Sequence, residues 1–158
     1  MLVGEVTQPH GVAILLPMLV GIGIFFCTIF IHALAVLATI NLIRREEKLG
    51  RLGTGLRADL PIVLRVISIA LVAHFLEIAL WAGLFILCGE FHDFGTALYH
   101  SGVNYTTLGY GDLIMSPSWR ALGPIEATDG SFMFGLSTAI AFAVVLRLVQ
   151  ARYADLRE

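Results

Sequence analysis

Charged residues are spaced along this chain so as to leave three long apolar stretches. Gly11 to Ile43 is 33 residues without a charge, counting histidine as neutral. Val66 to Gly89 is 24 residues in which Glu77 is the only charged side chain. Gly130 to Leu146 is 17 uncharged residues, extending to Val149 if Arg147 lays its stem along the helix and lifts its head to the interface. A helix needs roughly 20 apolar residues to cross the hydrocarbon core of a bilayer. The pattern predicts three crossings. A soluble helical core would instead need amphipathic partner helices, and the sequence has none.

Between the second and third stretches, Glu90 to Asp112 follows neither pattern. It includes Phe91, Phe94, Ala97, Leu98, Tyr99, Val103 and Tyr105, too apolar a set for a solvated loop. It is also too short to cross and return as two helices. A re-entrant segment fits, with a short helix dipping in and the chain climbing back in extended form. Non-helical backbone at membrane depth is tolerated only where protein or a watery cavity surrounds it, so the segment predicts a pore or a binding cavity. The expected fold is an all-α membrane protein with three transmembrane helices and a re-entrant helix between the second and third. Its expected divisions are residues 1–43, the N-terminus and first helix; 44–60, a loop; 61–150, the remaining helices and re-entrant segment; and 151–158, a tail. Pro61 suits the first turn of the second helix, with Asp59 or Leu60 just outside it. Pro117 and Pro124 each suit a helix start, placing the third helix from about Ser118 or from Ile125.

Composition agrees with a bilayer as solvent. The 158 residues are 58% hydrophobic and 14% charged, with mean hydropathy +0.86, where soluble domains carry about a quarter charged residues. Arg44, Arg45, Lys48, Arg51, Arg57 and Arg65 separate the first two stretches, and Arg147, Arg152 and Arg157 end or follow the third. Arg120 alone falls on the other side. The basic side should be cytoplasmic, which places the N-terminus outside and the C-terminus inside. The absence of Lys or Arg before the first span argues against a cleavable signal peptide. Small size and bare termini suggest a prokaryotic plasma membrane. Cys27 and Cys88, without further ligands at suitable spacing, read as apolar packing residues.

The hexapeptide Thr107-Leu108-Gly109-Tyr110-Gly111-Asp112 follows the expected re-entrant helix directly. It resembles the Thr-Val-Gly-Tyr-Gly-Asp signature of the potassium-channel superfamily, with Leu108 as the one departure. The resemblance implies a selectivity filter in which the carbonyls of Thr107, Leu108, Gly109 and Tyr110 replace the hydration shell of K+. Inward-pointing carbonyls need backbone conformations that a Cβ obstructs, hence Gly109 and Gly111. The Thr107 hydroxyl would complete the innermost site, Tyr110 would brace the filter from behind, and Asp112 would mark the outer mouth. Ala97 to Thr107 looks like a pore helix whose negative dipole end faces the cavity. Tyr99, Thr106 and Trp119 are the expected filter supports. Trp119 follows Asp112 by the spacing of simple two-span prokaryotic channels. Some of those channels place a Glu behind the filter where this chain has Val103, so Tyr99 or Trp119 would hold Asp112 instead. Gly130 and Gly135 fall near the position of an inner-helix hinge, and close helix packing is the alternative for each. The resemblance covers Pro61 to Val149 and implies a homotetramer in the lipid bilayer.

Glu77 lies in the middle of the second span, with His74 one turn away on the same face. An ionisable group at this depth costs several kcal/mol unless paired. Counted from the basic ends of their helices, Glu77 and His32 stand at nearly equal depth. A His32/His74/Glu77 cluster would fasten the first helix to the pore unit and confer pH sensitivity through histidine protonation. A protonated Glu77 bonded to a neighbouring hydroxyl or carbonyl is the alternative. A di-iron or other metal site from His74-x-x-Glu77 needs more carboxylates than these spans offer. Glu90, Asp93, Asp112, Glu126 and Asp129 would concentrate cations at the outer mouth. With an early helix start, Glu126 and Asp129 would lie inside the third helix instead.

These readings converge on a passive potassium channel with no cofactor, K+ as the permeant ion, no nucleic-acid partner and no catalytic constellation. No helix carries the repeated arginines of a voltage sensor. Gating could be constitutive, lipid- or tension-sensitive, pH-driven or by an unidentified partner. The alternatives are a weakly selective cation channel and a non-conducting scaffold or sensor on a channel fold.

Overall fold

Three long apolar runs separated by short polar links favour antiparallel helices, and that is the arrangement found. The computed structural model describes residues 13–155 and contains α1 (Leu15–Lys48), α2 (Leu56–Leu87), α3 (Phe94–Tyr105) and α4 (Leu122–Asp155). The apolar parts of α1, α2 and α4 are each long enough to cross a bilayer. α1 packs on α2 and α4, and the short α3 lodges between α2 and α4. At about 1.5 Å per residue α1 is ~51 Å long, well beyond a hydrocarbon core of about 30 Å. Leu15, Leu19, Phe26, Phe30, Leu34 and Leu37 on its open face are all more than half exposed, as suits lipid contact.

Helix ends differ from the sequence expectation in three places. α1 continues through Arg44 and Arg45 to Lys48, because charge marks the membrane surface and not the end of a helix. α2 begins at Leu56, so Pro61 lies inside it and the link between the two helices is residues 49–55, not 44–60. Gly55, with φ 146°, supplies the break, and its carbonyl accepts from Ala58 N and Asp59 N at 3.0 Å each. The helix runs through Pro61 with the loss of the one bond that its nitrogen cannot donate. α4 starts at Leu122, between the two expected starts, and Pro124 occupies its first turn, where an N–H would lack a helical partner. Residues 1–12 and 156–158, including most of the expected outer segment and part of the expected tail, lie outside the described residues.

The interior has three layers. Trp81, Phe85, Tyr105, Met115, Leu122 and Met133 form one apolar cluster, and Ile62, Val66, Val144 and Leu148 form another. Between them along α2 and α4 sit His74, Glu77 and Ser137, joined by His32 from α1.

The basic end of the bundle is tied by charge. Arg65 reaches Glu46 at 2.8 Å, Arg147 reaches Glu47 at 2.6 Å, and Arg152 pairs with Asp59 at 2.5 Å. Asp59 also accepts from Gly53 N at 3.0 Å. Gly53, at φ 72°, lets the link lie directly on the end of α4: a Cβ there would stand 2.5 Å from Arg152 N. Gly53→Ala is therefore expected to destabilise the protein by about 3 kcal/mol, combining left-handed strain with overpacking. Arg152→Ala, which removes a half-exposed partner, should cost about 1 kcal/mol or less. Melting midpoints in detergent check the ranking, and a larger loss in Arg152→Ala would refute it.

Candidate functional site

α3 is positioned from both ends. Asp93 caps its first turn, accepting from Thr96 N at 2.8 Å and Thr96 Oγ1 at 3.0 Å. These bonds, led by the backbone one, hold the Asp93 carboxyl below the usual carboxylate range. Farther along, Ser101 Oγ lies 2.8 Å from the Ile78 carbonyl on α2 and 2.5 Å from Glu126 Oε1 on α4. His100 packs between Phe85 and Phe91 and contacts Asn104 at 3.0 Å. At the C-terminal end, Tyr105 is fully buried and its carbonyl presses on Gly130 of α4.

The hexapeptide leaves α3 through a tight turn. Val103 O accepts from Leu108 N at 2.9 Å and from Gly109 N at 3.2 Å, and Asn104 O accepts from Thr107 N at 2.8 Å. From within this turn onward φ alternates in sign: it is 61° at Thr107, 59° at Gly109 and 74° at Gly111, and negative at Leu108 and Tyr110 between them. Thr107 is the one non-glycine residue with positive φ among the described residues. For a β-branched side chain this is a real departure, costing about 1–3 kcal/mol, and such strain gathers at functional sites. Thr106 to Asp112 are all exposed in the single chain, with Leu108 at 54% and Tyr110 at 67%. Tyr99 donates to Asp112 Oδ2 at 2.8 Å, and that bond pushes the Tyr99 phenol up. Trp119 does not make this contact; it packs half-buried against the Trp81–Phe85 cluster. Thr106, just past α3, donates back to Gly102 O of that helix at 2.6 Å. Glu90 anchors the chain after the hexapeptide, accepting from Ser116 N at 2.7 Å and Ser116 Oγ at 2.6 Å.

The two hinge candidates are placed differently. A Cβ on Gly130 would stand 2.0 Å from the Tyr105 carbonyl oxygen, whereas one on Gly135 would meet nothing within 4 Å in the single chain. Gly130 is where α4 admits the backbone of α3.

The intramembrane histidines and Glu77 come together. His32 Nδ1 is 3.0 Å from Glu77 Oε1, and His74 Nδ1 is 3.3 Å from Glu77 Oε2. Two further members escaped the sequence reading. Tyr105 donates to Glu77, and Ser137 Oγ lies 3.0 Å from the Nε2 of both histidines. One turn along, Asp129 accepts from Trp81 Nε1 at 2.8 Å and Thr28 Oγ1 at 3.0 Å. Glu126 and Asp129 are thus fully buried within α4 and do not belong to the outer surface charge. The spacing of Asp129 and Ser137, two helical turns apart in an apolar run, was the available signal for a polar face on α4.

Comparison with curated proteins and with solved structures gives no match. A sequence family described as Ion channel matches residues 62–147, more than half of the chain and the part that runs from α2 through the hexapeptide into α4. Three apolar helices able to span a bilayer, with α3 and its exposed hexapeptide between the last two, accord with that match. The chain belongs to this family of two-span, potassium-channel-like ion channels and is a multi-pass membrane protein.

Proposed function

We propose that the chain is one subunit of a potassium-selective channel, with Thr107 to Asp112 as its filter strand and α3 as its pore helix. The observation that carries this reading is the alternating sign of φ through the hexapeptide. Alternation of positive and negative φ is the backbone pattern by which successive carbonyls can turn toward the same side of a strand. A row of carbonyls on one side is what replaces the hydration shell of a potassium ion. The carbonyls of Thr107, Leu108, Gly109 and Tyr110 are the proposed K+ sites, and no other cofactor is required.

One strand cannot surround an ion, and a potassium filter takes four loops. We therefore read the assembly as a homotetramer in which neighbouring copies cover the exposed Leu108 and Tyr110 side chains. The negative end of the α3 dipole, adjoining Thr107, favours a cation at the inner end of the strand. The bond from Tyr99 to Asp112 holds the outer end without a carboxyl at Val103. The basic end of the bundle is the cytoplasmic one, in a plasma membrane.

The test is potassium against sodium flux from purified protein in liposomes. Potassium-selective flux is expected. Equal flux of both ions would reduce the protein to a weakly selective cation pore. Absence of flux across a range of pH and membrane tension would favour a non-conducting scaffold.

A further inference from the structure

Counted in protons, the layer around Glu77 is incomplete. Tyr105 gives its hydroxyl proton to Glu77, so the Tyr105 oxygen accepts from His74 Nδ1, 3.0 Å away. With Glu77 ionised, His32 Nδ1 donates to its other oxygen, 3.0 Å away. A neutral imidazole has one N–H, so the Nε2 atoms of both rings are then bare acceptors. Both face the Ser137 hydroxyl at 3.0 Å, and that hydroxyl has one proton. One of the two contacts has no proton to share, in a layer where His32 is 2% exposed and Glu77 0%. An unmade bond at such depth is costly, and one positive charge would mend it.

We propose that this layer binds a divalent transition-metal ion of the Zn2+ type, through His32 Nδ1, His74 Nδ1 and the Glu77 carboxylate. One ligand atom from each of these three residues lies within 4.8 Å of the others. Zinc–nitrogen and zinc–oxygen bonds of about 2.0–2.1 Å place the corners of a tetrahedron roughly 3.3 Å apart. His32 Nδ1 lies 3.0 Å from Glu77 Oε1 and His74 Nδ1 3.3 Å from Oε2, each close to that edge and each to its own carboxylate oxygen. The Tyr105 hydroxyl donates to Glu77 and lies 3.0 Å from His74 Nδ1, so it orients two of the ligands, and the fourth position is left to solvent. The sequence alone argues against a metal here for want of carboxylates; with His32 as a third ligand, a single ion needs no carboxylate beyond Glu77.

The surroundings also suit an ion. A metal on both Nδ1 atoms fixes the remaining ring protons on Nε2, where both donate to the two lone pairs of Ser137. That is the orienting contact a ligating histidine needs. Ser68, Thr128, Ser131 and Thr138 instead donate to the carbonyl four residues back along their helices. Ser137 faces the two rings. A cavity of about 270 Å³, otherwise lined mostly by apolar side chains, borders His32, His74 and Ser137. Asp129, bonded to Thr28 and Trp81 one turn from His32 and Glu77, supplies a second carboxylate whose charge, with that of Glu77, balances a divalent ion. The ion joins α1 to α2 directly and to α4 through Ser137.

The experiment takes purified full-length protein in detergent with any affinity tag removed. The protein is stripped with a chelator and titrated with Co2+, whose d–d absorption reports a four-coordinate site. One Co2+ per chain is expected, displaced by Zn2+, and Zn2+ should raise the melting midpoint. Glu77→Gln and His74→Asn should lose the absorption. Ser137→Ala keeps every ligand and should bind about 10–100-fold more weakly, while His92→Asn should bind as the parent does. Binding that survives Glu77→Gln unchanged would overturn the proposal. Should the layer variants fail to fold, the wild-type titration still decides. No Co2+ absorption, with melting that answers to pH but not to Zn2+, would mean the missing charge is a proton.

Discussion

Replacing Gly109 with alanine should abolish potassium-selective flux and leave the folded helical bundle standing. The φ of 59° lies where a Cβ costs about 1–2 kcal/mol, yet the added carbon would meet nothing within 4 Å in the single chain. The penalty is therefore local to the strand. Alanine escapes it by swinging to negative φ, which breaks the alternation among Thr107, Gly109 and Gly111 and turns a carbonyl away from its row. Thr107 already holds one strained conformation in the same strand, so little local tolerance remains. Liposome flux should fall to background while the melting midpoint in detergent moves by only a few degrees. Potassium flux equal to that of the parent would contradict the filter assignment. A collapse in melting would mean that the strand supports the fold as well.

Gly130→Ala should do the reverse and damage the fold first. Its Cβ would stand 2.0 Å from the Tyr105 carbonyl oxygen, 2.9 Å from that carbonyl carbon and 3.1 Å from Tyr105 Cδ1. Backbone cannot rotate away as a flexible side chain can, so α3 or α4 must move. A loss of 3 kcal/mol or more is expected from such overpacking. Because Tyr105 ends α3 where the hexapeptide begins, surviving protein should also lose flux. Gly135→Ala is the internal control: in the single chain its Cβ would meet nothing within 4 Å, and alanine in a helix is favoured over glycine by about 1 kcal/mol. Its melting midpoint should hold or rise. Equal loss in both variants would show that glycine matters here for bending and not for close approach.

Much of this protein is legible in one dimension because a bilayer penalises charge so strongly. Runs of uncharged residues mark the crossings, clustered arginines mark one face, and Thr107 to Asp112 carries its resemblance as a contiguous string. Residue counting along two helices also placed His32 level with Glu77, since a helix rises by a constant amount per residue. Helix ends were less legible. The charges of Arg44 to Lys48 mark where lipid stops, whereas the break before α2 depends on the backbone of Gly55 and the pairing of Asp59 with α4.

What only the tertiary structure decided lies at contacts between residues distant in the chain. Gly130 and Gly135 look alike in sequence; one has a carbonyl of α3 against it and the other has open space, and nothing local distinguishes them. Tyr99 and Trp119 were equal candidates for Asp112 until the turn through Val103 put Tyr99 beside it. The layer of His32, His74, Glu77, Tyr105 and Ser137 draws on all four helices. Its proton count follows from which nitrogen faces which oxygen. Pattern and periodicity report how each segment meets its solvent. Directional bonds between segments depend on how those segments are packed, and only the folded chain settles that.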